Sequence, residues 1–95
     1  MRSERLESIA SSVHERRSQL AVHSLDELLA MALRYHSRDE PRQAEDMFWR
    51  LAEDHADAPQ GEVATNKLTA MAHEYERKGR DHEARAIYER LFAIA

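Results

Sequence analysis

Leu28-x-x-Met31-Ala32-x-x-Tyr35, followed nine residues later by Ala44-x-x-x-Phe48, returns as Leu68-x-x-Met71-Ala72-x-x-Tyr75 and Ala84-x-x-x-Tyr88. Every position lies forty residues from its copy, and the match reaches outward to Leu51 and Leu91. A fixed period of this size marks one supersecondary unit stacked on its own copy, because a single unit cannot bury its apolar face alone. The spacing inside the unit is helical, with apolar residues recurring at three and four positions.

Working outward, Ser24-Leu25-Asp26-Glu27 is a capping box: Ser24 accepts from the Glu27 backbone N–H, and Glu27 reaches back to the N–H of Ser24. The spacing predicts a helix from there to about residue 37, apolar over more than one stripe. Arg38-Asp39-Glu40-Pro41 separates it from the next helix. Asp39 or Glu40 is the expected cap, and Pro41 suits a first turn where its missing N–H has no partner to lose. That helix runs to about residue 55 with Ala44, Met47, Phe48, Leu51 and Ala52 as its stripe. Asp57-Ala58-Pro59 opens another, which Lys78-Gly79 ends, glycine being suited to the left-handed position past a helix C-terminus. Asp81 then caps a last helix carrying Ala84, Ile87, Tyr88, Leu91, Phe92 and Ile94. Upstream, Leu6, Ile9, Ala10, Val13, Leu20 and Ala21 recur at helical spacing over residues 3 to about 21, interrupted by Arg16 and Arg17. This predicts a helix that docks on one side only.

The order bulky apolar, apolar-small-x-x-Tyr, Ala-x-x-x-aromatic resembles the tetratricopeptide repeat, with two repeats at about 25–56 and 65–95. Leu28 and Leu68 stand where that family often has Trp, and Ala32 and Ala72 replace its glycine. Forty residues exceed the family period of about 34, and the excess fits at Asp57–Gly61 as a longer loop or an extra helical turn. The resemblance implies an all-α fold of antiparallel helix pairs stacked as a short α-solenoid. Five helices are expected in a single domain over 1–95: an N-terminal docking helix in 1–23, a first repeat in 24–56 and a second in 57–95.

Composition narrows the function. The 95 residues carry 34% charged side chains, two Gly, two Pro and no Cys, a helix-rich profile without a disulfide framework. Net charge is −4. The acidity sits in residues 24–61, with four basic against nine acidic residues; residues 1–23 have four against three and residues 62–95 six against six. A basic footprint for nucleic acid is absent. No stretch approaches 18 apolar residues and the N-terminus lacks a signal-peptide core, so no membrane partner and a cytoplasmic location are expected.

Catalytic chemistry finds little to use. His14-Glu15, His73-Glu74 and His82-Glu83 are each followed at the zinc-protease spacing by Ser18, Arg77 and Ala86, not by a second His. Solvated surface histidines, no metal and no cofactor are the expectation. Adjacent acidic pairs such as Glu45-Asp46 point in different directions and lack a pocket to split their pKa values. There is no phosphate loop or nucleophile motif, and no enzyme is expected.

The family resemblance implies instead an adaptor that binds a peptide or protein in a concave groove lined by the first helix of each pair. Mapped on this chain, the groove residues are Leu29, Leu33 and His36 with Asn66, Thr69, His73 and Arg77. Leu29 and Leu33 are equally read as covered by the N-terminal helix. A second reading is a self-associating scaffold: Ile87, Leu91, Phe92 and Ile94 lie where a repeat array carries a polar capping helix. Trp49, whose copy is Glu89, is either a stray exposed ring or an interface anchor. These five residues are the expected contact of a two-fold homodimer.

Overall fold

The computed structural model describes residues 24–94, which form four helices: α1 over 24–37, α2 Pro41–Asp54, α3 Pro59–Arg77 and α4 Asp81–Ile94. No strand occurs among the described residues. The fold is all-α, with neighbouring helices packed in pairs, and four helices are described where five were expected. The expected helix over 3–21 lies outside the described residues. Residue 24, the first described, is already helical.

The forty-residue period is written into the backbone. α1 ends at 37 and α3 at 77, while α2 and α4 begin and end forty residues apart. The turns match as well. Asp39 (φ 59°) and Gly79 (φ 76°) both sit in the left-handed region. Around them, the Glu40 N–H donates to the Tyr35 carbonyl (3.0 Å) and the Asp39 N–H to His36 (3.3 Å). Forty residues on, the Arg80 N–H donates to Tyr75 (2.8 Å) and the Gly79 N–H to Glu76 (3.0 Å). Each set closes a helix by satisfying carbonyls that have no partner within it. Asp39 therefore does not cap α2; it ends α1. Glu40 holds the cap position of α2 without a side-chain hydrogen bond, and Ala58 does the same for α3. Asp81 lies inside the first turn of α4, where its charge favours the helix dipole.

α3 begins at Pro59 and buries Gln60 and Gly61 in its first turn. Gly61 lies against the C-terminal end of α2: a Cβ built on it would stand 2.0 Å from the His55 carbonyl oxygen. Only glycine permits that approach. Gln60 uses its burial to reach back, its Nε2 donating to Asp26 Oδ1 at 2.7 Å and tying α3 to α1.

α3 packs on α2, and α4 on α3. Ala32, Ala44, Ala72 and Ala84 are buried, as the small-residue positions of the pattern require, and Phe48, Leu51 and Leu68 are the largest fully buried side chains. Each of those three contributes about 1.5–3 kcal/mol by leaving water. His36 sets the edge of its ring on Phe48 (centroids 6.3 Å apart), joining α1 to α2.

Candidate protein-docking surface

Trp49 corrects one expectation. It is 6% exposed, neither a stray surface ring nor an interface anchor. The Arg90 guanidinium of α4 lies 4.3 Å from its ring centroid, and Arg90 Nε also meets Glu53 Oε1 at 2.5 Å. A cation over an indole face is attracted by the ring quadrupole. Trp49 lies off the main stripe of α2 and is covered by the second repeat, which a pattern confined to one helix does not reveal. Ile87 corrects another: at 3% exposure it belongs to the core. Leu91 and Ile94 are half-buried against that core. Of the five residues expected at a self-contact, Phe92 alone stands out into solvent, 86% exposed.

Phe92 borders an open depression on the outer side of α4, lined with it by Ala84, Tyr88, Arg85, Glu89, Asp81 and, from α3, Glu76. The α4 members fall at three- and four-residue steps and so share one helix face. The Tyr88 hydroxyl is fixed by two partners: it donates to Glu76 and lies 3.1 Å from His73 Nδ1. With the Tyr88 hydroxyl hydrogen directed at Glu76, the hydroxyl oxygen is left to accept from the Nδ1–H tautomer of His73. The Glu76 carboxylate, then burial, raise the Tyr88 pKa above the ordinary tyrosine range.

One repeat earlier most of the same surface is buried, although His36 and Pro41, the counterparts of Glu76 and Asp81, are exposed. The counterparts of Ala84, Tyr88, Glu89 and Phe92 are Ala44, Phe48, Trp49 and Ala52, and all four are buried. α3 lies on α2 there, and the Tyr75 hydroxyl donates to Glu45 Oε2 at 3.0 Å. Burial, then the Glu45 bond, raise the Tyr75 pKa. Arg80, 5.3 Å from the Tyr75 ring centroid, holds the ring from the other side and pairs with Glu83 at 3.2 Å.

The residues expected to line a concave groove lie on α1 and α3. Leu29 is half-buried against the core, Leu33 is 36% exposed and Asn66 is exposed. Thr69 returns its hydroxyl to the Thr65 carbonyl (3.0 Å), His36 contacts Phe48, His73 is bound to Tyr88, and Arg77 pairs with Glu74 at 2.6 Å on the surface. Sequence reasoning missed Arg90, Glu53, Glu76 and Gly61, whose roles depend on where two helices cross. Among the described residues no group of three or more His, Cys, Asp or Glu could hold a metal ion, and no helix is long and apolar enough to cross a membrane. No family model, curated protein or solved structure matches this chain, so the tetratricopeptide resemblance rests on the forty-residue pattern itself.

Proposed function

We propose that the chain is a non-catalytic protein–protein interaction module of the tetratricopeptide kind, which receives a helix of its partner on the outer face of α4. One observation carries this reading: Phe92 and its depression copy a surface that, forty residues earlier, is largely buried where α3 packs on α2. An apolar ring this exposed, rimmed by charged side chains, has the composition of a docking site. Arg85 occupies the position of Glu45, so the incoming helix places a hydrogen-bond acceptor where Tyr75 places a donor.

A concave face carrying Leu33, Asn66, His73 and Arg77 is the second reading. The Gln60–Asp26 bond favours it by holding the N-terminal parts of α1 and α3 side by side. Incorporating photoreactive benzoylphenylalanine at position 92 in cells, with exposed Arg42 on α2 as the control position, tests the first. Protein adducts at 92 and none at 42 are expected. A chain that yields no adduct at 92 contradicts docking on α4.

A further inference from the structure

We propose that the helix received by α4 is α1 of a second copy, so that chains stack head to tail and α1 of the next copy lies on α4 as α3 lies on α2. This rests on the docking reading above and names its partner.

The other half of the contact is present on the same chain. Met31, Arg34, Tyr35 and Arg38 line a depression on α1, and their spacing puts them on one helical stripe. Their counterparts on α3 are Met71, Glu74, Tyr75 and Lys78. Tyr75 is bonded to Glu45 of α2 and Met71 is buried, whereas Met31 is 38% exposed. Among the described residues, the α2 half of the inner contact thus recurs on α4 around exposed Phe92, and its Met71–Tyr75 half recurs on α1 around exposed Met31.

Charge selects between the ways two copies can meet. The α4 surface carries Glu76, Asp81 and Glu89 against Arg85, where its inner copy has His36, Pro41, Trp49 and Glu45. The α1 stripe carries Arg34 and Arg38. A two-fold contact of α4 with α4 brings the acidic sets together, which costs free energy; α1 on α4 brings opposite charges together. In this register Arg85 donates to the Tyr35 hydroxyl. The two surfaces differ, so the contact is heterologous and extends into a row of chains instead of closing as a pair.

Sedimentation of the full chain tests this with two variants, Arg34→Glu/Arg38→Glu and Phe92→Glu, each checked for native helicity by circular dichroism. The wild-type mass is expected to climb with concentration beyond that of two chains and to fall back as salt is raised. Each variant alone stays monomeric. An equimolar mixture joins its two intact faces and stops at two chains. If the α1 variant still pairs with itself, the contact is two-fold and head-to-tail stacking is overturned. If the wild type stays monomeric while position 92 crosslinks to a different protein, the docking reading stands and the second copy is overturned. If neither association nor adduct occurs, both are overturned. Should charge reversal unfold the α1 variant, Arg34→Gln/Arg38→Gln takes its place with the same expected loss of self-association.

Discussion

Helices α2 and α4 are two copies of one element in two surroundings. Both are 14 residues long and carry alanine, an aromatic ring and leucine at matched positions. Yet Phe48, Leu51 and Ala52 are fully buried, while Tyr88 and Leu91 are half-buried and Phe92 is exposed. Burial on the side facing a helix's own pair is set by the repeat. On the other side α3 packs on α2, whereas no described helix lies on the matching side of α4. The substitution of Phe92 for Ala52 falls on that second side, and there the apolar ring projects into solvent.

The largest effect expected comes from truncating the same residue in both copies. Leu51→Ala should cost about 2–5 kcal/mol in urea unfolding, the range for a fully buried leucine. Leu91→Ala should cost less than half as much, because half-burial removes less area from water. Equal losses would mean that the second face of α4 is covered after all. Gly61→Ala breaks the approach of α3 to α2. The new methyl meets backbone that cannot rotate away, so a loss of about 1–3 kcal/mol is expected, as for overpacking.

How much of this the sequence made legible follows from what each residue answers to. Ala32, Ala44, Phe48 and their copies are placed by contacts within a helix pair, which helical spacing encodes, and the boundaries of α2 and α4 follow the turn residues closely. Trp49 was misplaced because part of its cover, Arg90, comes from a helix distant in sequence, and Ile87 because its cover comes from another helix. The Arg90–Trp49–Glu53 contact joins residues up to 41 apart, and no local pattern announces it. The choice between Asp39 and Glu40 as the cap of α2 stayed open for a different reason: aspartate is a good helix cap and also tolerates the left-handed region, and only the backbone tells which property is used.

The smallest effect sharpens that last comparison, since the two turns share a geometry but not a residue. Gly79→Asp should cost about 1 kcal/mol, and Asp39→Gly should gain about 0.5 kcal/mol or less. Relief of the left-handed strain is partly offset there by the greater freedom of glycine in the unfolded chain. Thermal unfolding of the two single variants gives both signs; a loss for Asp39→Gly would show that the aspartate side chain stabilises its turn.

The chain contains two phenylalanines, one in each copy of the repeated helix, and fluorine NMR of protein labelled with fluorophenylalanine reads both at once. At low concentration the Phe48 signal should be insensitive to exchanging water for heavy water, while the Phe92 signal should show the full solvent isotope shift. On concentration the Phe92 signal alone should lose that shift, and Arg34→Glu/Arg38→Glu should restore it. A Phe92 signal already shielded from solvent at low concentration, or one that stays exposed at every concentration, would contradict an open α4 surface that the next chain covers.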